Sequence, residues 1–161
     1  SRLYEFMDKN PAISSYNVEY INHPNVICRN DNVVSINSAL QIDLYTQINA
    51  ESMGFGQISG NGGMFDFVLG AYWSRGGRSL ICLPSTYDDG GVARSRIVPR
   101  FDAGAVITTP RHHVDVIVTE YGAAELEGLT VRERGEALAA IAHPQFRDEL
   151  ADAADRAARG R

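Results

Sequence analysis

Residues 59–85, SGNGGMFDFVLGAYWSRGGRSLICLPS, contain the pattern that decides the fold. A glycine-rich loop leads into residues 63–77, an apolar stretch that predicts a helix ended by Gly76-Gly77. Residues 78–85 then have the continuous apolar run of a buried strand. Strands that alternate with helices are the mark of an α/β domain, so we predict that class of fold.

The flanking sequence extends this alternation in both directions. We predict helices over 2–9, 129–142 and 143–161, a helical turn at 23–30 with Pro24 near its start, a strand at 17–21, two strands within 33–52 with a bend near Asp43, a polar loop at 86–94, and strands starting at 96, 105 and 114. Thr130 is expected to cap the helix over 129–142, with Glu133 three residues on. The order predicts one domain, 1–161, with a mixed β-sheet flanked by helices.

The overall composition argues against several classes of function. The net charge of −5 gives no basic face that would match phosphates, so we predict no nucleic-acid partner. No run of about 18 apolar residues is present, which predicts no membrane span. The N-terminus also lacks the basic and apolar regions of a signal peptide. Cys28 and Cys82 lie in apolar contexts, which favours reduced, buried thiols and the cytoplasm as the compartment.

The glycine-rich loop is the first candidate for chemistry. Glycines such as Gly60, Gly62 and Gly63 allow backbone N–H groups to crowd toward an anion, and the start of the following helix adds partial positive charge. The same arrangement can hold an oxyanion formed during acyl transfer. The loop fits neither a Walker motif nor a dinucleotide fingerprint. A plain tight turn between strand and helix is the alternative.

Two polar residues that follow predicted strands are further candidates. Glu120 ends the apolar strand of VTEYG, and sites in α/β sheets collect at the carboxyl ends of strands. A carboxylate there can act as an acid or base, as an orienting group or as a ligand-binding group. Asn22 offers an amide that could bond a carbonyl or carboxylate. The alternatives are a glutamate that simply reaches solvent and an ordinary turn asparagine.

Other polar residues are weaker candidates. His112 and His113 are adjacent before a strand, so their side chains are expected to point to opposite faces, and we predict no metal site. His23 and His143 each precede a proline and are interpreted as caps or turn residues. Ser85-Thr86 follows a strand, but the G-x-S-x-G elbow of serine hydrolases is missing, which argues against a serine nucleophile.

Four segments taken in order carry a family resemblance. They are NDNVVSINSALQIDLYTQINAES (30–52), SGNGGMFDFVLGA (59–71), LPSTYDDGGVARSRIVP (83–99) and VDVIVTEYGAAELEGLTVRERGEALAAIAHPQFRDEL (114–150). Together they resemble the C-terminal half of the acetyl-CoA hydrolase/CoA-transferase family, which includes 4-hydroxybutyrate, butyryl- and succinyl-CoA:acetate CoA-transferases. The resemblance covers nearly the whole chain and implies a CoA-transferase-like (NagB/RpiA-like) domain.

The resemblance implies a ping-pong reaction through a glutamyl-CoA thioester, with acyl-CoA and small carboxylates as substrates and no tightly bound cofactor. The backbone of Gly62 and Gly63, and by extension of Gly60, would form part of an oxyanion hole or of the substrate site. Asn22 would contact the reacting carboxylate. Glu120 would be a second active-site carboxylate that positions groups or tunes the nucleophile.

Two departures from the family pattern affect this interpretation. The loop after PST often carries a lysine in the family, whereas here it reads TYDDGGVAR, so Arg94 or Arg96 is the remaining candidate for CoA contacts. The family's nucleophilic glutamate lies in an upstream Thr-Glu motif, and no glutamate of this chain takes that place. We therefore expect a C-terminal domain of a longer two-domain enzyme, inactive by itself and partnered by the N-terminal half.

An interface with a missing half should leave apolar side chains exposed, with Tyr4, Phe6, Phe55 and Phe65 as candidates, and we expect a homo-oligomer. Two other interpretations stay open. A standalone CoA-binding or regulatory domain without chemistry would show the same sequence motifs. A sugar-phosphate isomerase-like domain would share the general fold, but it needs a basic phosphate-binding cluster that the sequence lacks.

Overall fold

The computed structural model describes residues 1–159, and it is an α/β domain with a mixed β-sheet and flanking helices. The helices are α1 (Arg2–Met7), α2 (Val18–Ile21), α3 (Pro24–Ile27), α4 (Met64–Trp73), α5 (Val131–Ala140) and α6 (Arg147–Arg159). The strands are β1 (Val34–Ser38), β2 (Gln41–Asp43), β3 (Ile48–Asn49), β4 (Ser52–Met53), β5 (Gly56–Gln57), β6 (Arg78–Cys82), β7 (Thr86–Asp89), β8 (Val92–Ser95), β9 (Ile97–Val98), β10 (Val116–Thr119) and β11 (Gly122–Glu125). The predicted fold class is confirmed.

The main sheet has four strands in the order β1-β6-β10-β11. Strands β1, β6 and β10 are parallel, and β11 returns antiparallel to β10 through a tight turn. A smaller sheet, β3-β2-β9, and the hairpins β4–β5 and β7–β8 lie beside it. Helix α4 connects β1 and β6 by a parallel crossover and packs on both strands. The predicted helix over 63–77 and strand over 78–85 are therefore confirmed, with shorter bounds.

The hydrophobic core joins the two sheets and the C-terminal helices. Its fully buried side chains include Ile42, Ile48, Ile81, Ile97, Ile117, Leu126 and Leu138. Helices α5 and α6 close one side of this core, and they approach so closely at Gly135 that a Cβ there would lie 2.6 Å from the Ala154 Cβ. The predicted N-cap is confirmed: the Thr130 hydroxyl accepts from the Glu133 N–H, and the Glu133 carboxylate accepts from the Thr130 N–H.

The two faces of the main sheet differ in burial. Ser35, Ile81 and Ile117 are buried on the face that meets the core. On the opposite face of edge strand β1, Val34 and Ile36 are 58% and 69% exposed. Edge strands with exposed apolar side chains are available for pairing with further chain.

The N-terminal helices are also unpacked. Neither α1 nor α2 contains a buried residue. The predicted exposure of Tyr4, Phe6 and Phe55 is confirmed. Phe65 is half-buried instead, because its ring packs edge-on against His113.

The strand predicted over 17–21 is wrong, because Val18–Ile21 forms the short helix α2. The Asn17 side chain accepts a hydrogen bond from the Tyr20 N–H and caps this turn. The β-branched and aromatic residues of the segment have no strand beside them, so the local cap decides the conformation.

The strand predicted from 105 is also wrong. Only Thr109 forms a β-bridge, with Ile48. Side chains replace ladder bonds along this segment: Ser52 Oγ accepts from the Val106 N–H, and Thr108 Oγ1 accepts from the Ala50 N–H. An extended chain is therefore held in place without forming a sheet strand.

The loop predicted at 86–94 is instead the hairpin β7–β8. Gly90 and Gly91 at its tip have φ angles of 63° and 90°, which suits a two-residue hairpin turn. The Asp88 carboxylate accepts from the Gly91 N–H and closes the turn. The sequence signal for this hairpin is the pair of glycines, Gly90-Gly91, that follows two aspartates.

Cys28 and Cys82 are unpaired, as predicted, although both are half-buried and not buried. Within the described residues, no helix has the length and apolar content that a membrane crossing requires. The last predicted helix begins with a short 3₁₀ turn before α6, and its final two residues lie outside the described range.

Candidate functional site

The candidate site lies at the carboxyl edge of the main sheet. The parallel strands β1, β6 and β10 end there at Ser38, Cys82 and Thr119. Helix α4 runs antiparallel to these strands, since its C-terminus leads directly into the start of β6. The beginning of α4 is therefore at the same edge as the strand ends, where α/β domains usually bind ligands.

The glycine-rich loop forms the start of α4. Gly62 has a φ of 53°, a conformation that glycine adopts without strain, and Gly63 is the N-cap of the helix. The first N–H groups of a helix have no partner within it, so they face outward from this loop. Gly60 and Gly62 have open space where a Cβ would stand. The loop can therefore present N–H groups to an anion, as the sequence predicts.

Asn22 lies directly against this loop, although 41 positions separate it from Gly63 in the chain. A Cβ on Gly63 would stand only 2.4 Å from the Asn22 Nδ2, so position 63 has no room for a side chain. Asn22 is the C-cap residue of α2, and its side chain is half-buried. Two of the predicted site residues, Asn22 and Gly63, are thus in contact.

Glu120 directly follows β10 and is exposed at the same edge. Its carboxylate is held from one direction by a single residue of the neighbouring strand's continuation. The Ser85 N–H donates to Glu120 Oε2 at 2.9 Å, and the Ser85 hydroxyl donates to Oε1 at 2.5 Å. Both oxygens of the carboxylate are therefore oriented.

The same hydrogen bonds lower the pKa of the Glu120 carboxyl group. Desolvation by itself would raise the pKa of the carboxyl group. The hydrogen bonds from the Ser85 hydroxyl and from backbone N–H groups, with the nearby His143, outweigh it and lower the pKa of Glu120 below its ordinary value. Glu120 is therefore a carboxylate at neutral pH.

The turn that carries Glu120 is fixed from the other side as well. The Thr119 hydroxyl donates to the Ile141 carbonyl at 2.6 Å and accepts from the Tyr121 N–H. The Tyr121 ring lies edge-on to His143, with centroids 5.6 Å apart, and under the guanidinium of Arg147. The backbone on both sides of Glu120 is thus tied to the region after α5.

An open cavity of about 460 Å³ adjoins Glu120. The ends of β1, β6 and β10 line it, and its walls include Ser38, Cys82, Pro84 and Val118. Asn22 and Gly63 are not among its lining residues. The structure brings Asn22 to Gly63 and Glu120 to Ser85 as two pairs on one sheet edge, and their convergence in one cleft stays a prediction.

The two arginines predicted to contact CoA differ in what they already bind. Arg96 donates from Nη1 to the Leu40 carbonyl at 2.8 Å and from Nε to the Thr86 carbonyl at 3.3 Å. Arg94 lies on the exposed hairpin beside Asp89, at 3.4 Å, and lines a separate cavity of about 550 Å³. Arg96 therefore braces the backbone, whereas the guanidinium of Arg94 is more accessible.

The prediction that His112 and His113 point to opposite faces is wrong. They lie in a 3₁₀ turn, Arg111–His113, and not in a strand, so their ring centroids are 4.3 Å apart. His113 also packs edge-on against Phe65 and Tyr72, and burial followed by the nearby His112 lowers its pKa. Within residues 1–159, no group of three or more His, Cys, Asp or Glu side chains could hold a metal ion.

Ser85 is the site residue that the sequence analysis did not assign. The sequence suggests the Ser85 hydroxyl only as a possible nucleophile, because its hydrogen-bond partner, Glu120, lies 35 positions away. The available signal was positional: Ser85 follows β6 and Glu120 follows β10, and these strands are neighbours in the sheet. Polar residues that end adjacent parallel strands are expected to meet.

The chain is similar to known proteins over nearly its whole length. Residues 1–154 match a family described as the acetyl-CoA hydrolase/transferase C-terminal domain. The 4-hydroxybutyrate coenzyme A transferase of Clostridium kluyveri is 52% identical over 149 residues, which are 92% of this chain and 34% of that protein. The butyryl-CoA:acetate CoA-transferase of Anaerostipes caccae is 48% identical over 157 residues, 97% of this chain and 35% of that protein.

A solved structure has the same fold. RipA from Yersinia pestis superimposes with a TM-score of 0.86 at 50% identity, over 98% of this chain and 35% of RipA. The chain spans about a third of the length of the curated relatives that it matches. Matches of this extent show the family, and the chain belongs to the acetyl-CoA hydrolase/transferase C-terminal domain family.

Proposed function

We propose that this chain supplies one side of the active site of an acyl-CoA:carboxylate CoA-transferase or acyl-CoA hydrolase. The observation that carries the proposal is an ionised, doubly hydrogen-bonded Glu120 at the sheet edge where α4 and its glycine loop begin. Acyl transfer from a thioester requires donors for an oxyanion and positioned carboxylates. The family match adds that relatives of this chain act on CoA thioesters.

Each residue has a role in the proposed reaction. A glutamate from the upstream part of the enzyme attacks the thioester carbon, the C–S bond breaks, and an acyl-glutamyl anhydride and CoA thiolate form. The thiolate then attacks the glutamyl carbonyl and releases the first carboxylate. The N–H groups of Gly62 and Gly63 stabilise the oxyanion at each step, with Gly60 in the same substrate loop.

Asn22 and Glu120 act beside these donors. The side-chain amide of Asn22 binds an oxygen of the reacting carboxylate. Glu120 positions the reacting groups by its fixed negative charge and completes the catalytic set of this chain. A carboxylate acceptor that takes the CoA gives transfer, whereas water in its place gives hydrolysis.

CoA enters as a substrate, and the proposal includes no tightly bound cofactor. Arg94 is the better candidate for its phosphates, because the guanidinium of Arg96 already donates to two backbone carbonyls. Within residues 1–159, the ion-pair partner of Arg94 is Asp89, and both side chains are exposed. An exposed ion pair of this kind contributes little and is readily exchanged for a phosphate.

The partner in this proposal is the N-terminal half of the same enzyme. Its support is the bare face at β1, where Val34 and Ile36 are exposed, together with the unpacked helices α1 and α2. Burial of such side chains against further chain is favourable. We also propose a homo-oligomer and a cytoplasmic location, the latter supported by the two unpaired thiols.

The test of the function is Glu120→Gln in the complete enzyme, with Glu125→Gln as the control. Glu125 is an exposed glutamate at the opposite edge of the same sheet. We expect Glu120→Gln to lower turnover about 100- to 10,000-fold while thermal unfolding stays unchanged. Glu125→Gln should leave turnover unaltered. Normal turnover in Glu120→Gln would refute a catalytic role for this carboxylate.

A second experiment addresses the division of the active site. This chain alone, mixed with acetyl-CoA and a carboxylate acceptor, should show no thioester exchange, because covalent transfer needs the upstream nucleophile within about 3–3.5 Å of the carbon. Addition of the upstream half should restore exchange. A CoA adduct on a glutamate of this chain alone would contradict the proposal.

A further inference from the structure

Ser85 is enclosed in a way that its neighbours are not. It is fully buried, with 0% of its surface exposed, and all of its polar groups are used. Its N–H and its hydroxyl donate to the two oxygens of Glu120. Its carbonyl accepts from the Arg96 N–H at 2.8 Å. A buried serine whose hydrogen bonds converge on an exposed carboxylate orients that carboxylate.

The backbone around Ser85 cannot easily move. The guanidinium of Arg96 donates to the carbonyls of Leu40 and Thr86, so it joins the residue after Ser85 to the connection between β1 and β2. The Leu83 N–H donates to the Val118 carbonyl, which continues the pairing of β6 with β10 up to Glu120. The backbone at Ser85 is thus held in place, and its hydrogen bonds fix the position of the Glu120 side chain.

We propose that Ser85 is a positioning residue of the CoA-transfer reaction, which holds the Glu120 carboxylate in one orientation. The inference rests on the proposed function and names the residue that orients Glu120 for its role in the reaction. Ser85 acts through Glu120 and not on the substrate, because its buried hydroxyl cannot reach a bound thioester.

The physical reason lies in the freedom of a glutamate side chain. Without the hydroxyl, an exposed glutamate samples several rotamers, and a reacting group misplaced by about 1 Å loses much of its effect. The same loss removes a charge-assisted hydrogen bond to the ionised form, so the pKa of Glu120 rises toward its ordinary value. The orientation of the Glu120 carboxylate and its pKa therefore both depend in part on the Ser85 hydroxyl.

The experiment compares Ser85→Ala with Ser79→Ala, since both serines are buried and the Ser79 hydroxyl has no hydrogen-bond partner in residues 1–159. In this chain, the Glu120 side-chain carboxyl carbon is followed by NMR across pH. Ser85→Ala should move its titration to higher pH, and Ser79→Ala should leave it unchanged. Ser85→Thr, which keeps the hydroxyl, should restore part of the wild-type titration.

In the complete enzyme, Ser85→Ala should lower kcat about tenfold to a hundredfold, with a smaller change in KM, and should move the acid limb of the pH profile upward. A Ser85→Ala enzyme with wild-type titration and turnover, beside an inactive Glu120→Gln enzyme, would overturn this inference alone. Normal turnover in Glu120→Gln would overturn the proposed role of Glu120 and this inference with it.

Discussion

Helices α1 and α2 near the N-terminus are exposed, whereas helices α5 and α6 are packed against the core. Helices α1 and α2 bury nothing, and Phe6 is 66% exposed. In α5 and α6, Leu138 and Leu150 are fully buried, and Gly135 allows the two helices to touch. The contrast teaches that a helix can be specified locally while its burial depends on a partner, and the described chain supplies a partner for only one of these regions.

The largest difference between the two regions should appear in stability. Leu138→Ala leaves a cavity in a fully packed core and should lower the free energy of unfolding of this chain by about 2–5 kcal/mol. Phe6→Ala removes an exposed side chain and should change it by less than about 0.5 kcal/mol. Chemical denaturation of both variants measures the comparison, and equal losses would show that α1 is packed after all.

A charge placed on the bare face of β1 should act only when the partner is present. Ile36→Lys is expected to change the stability of this chain by less than about 0.5 kcal/mol, because the site is exposed. In the complete enzyme, the same lysine would be buried and should lower stability by about 2 kcal/mol or more.

Val92→Lys, on the exposed hairpin strand β8, is the control and should be tolerated in both proteins. Thermal unfolding of the four samples gives the comparison. An Ile36→Lys variant that the complete enzyme tolerates would show that nothing covers this face.

The packed and open parts of the glycine loop offer a comparison at the site itself. Gly63→Ala would drive a Cβ against the Asn22 amide, whereas Gly60→Ala meets open space. We expect Gly63→Ala to displace Asn22 and lower turnover of the complete enzyme about tenfold to a hundredfold, corresponding to about 1.4–2.7 kcal/mol. Gly60→Ala adds its Cβ to open space and should lower turnover less than Gly63→Ala does. Equal rates in the two variants would separate Asn22 from catalysis.

The smallest expected effect concerns Asp43, a fully buried carboxyl group in the packed region. Burial raises the pKa of Asp43, although hydrogen bonds from Gln47 and Tyr45 oppose the increase. The folded state therefore holds its proton to higher pH than the unfolded state does. Stability relative to Asp43→Asn should fall as pH rises from below 3.8 through the raised pKa, and should then level off.

Denaturation of both proteins at a series of pH values measures this difference. A stability difference that grows in favour of the wild type over the same window would mean that the hydrogen bonds outweigh burial at Asp43.

Elements with complete local signals could be predicted from the sequence. Helix α5 begins directly after its N-cap, Thr130, because a capping box with Glu133 satisfies the first N–H groups of the helix. The glycines after α4 and the apolar run of β6 are equally local. Helix α2 and the segment 105–109 were predicted wrongly, because the β propensity of their residues has an effect only where a neighbouring strand is available.

The candidate site also has parts that the sequence predicts and parts that only the structure shows. Glu120 and the glycines were identified because a strand end and a helix start are visible along the chain. The Asn22–Gly63 contact spans 41 positions and the Ser85–Glu120 bonds span 35, so no local pattern could pair them. Strand β11 was missed for a related reason: its sequence, GAAE, has little strand propensity and forms a strand by pairing with β10.

The sequence by itself determined the α/β class, the Thr130 cap of α5, and the residue types able to hold a carboxylate or an oxyanion. These follow from backbone conformations and side-chain periodicities that act within a few residues. Only the tertiary structure decided which polar residues meet and which apolar faces stay bare. Those outcomes depend on the order of β1, β6 and β10 in the sheet, which brings distant strand ends together and leaves β1 at the edge.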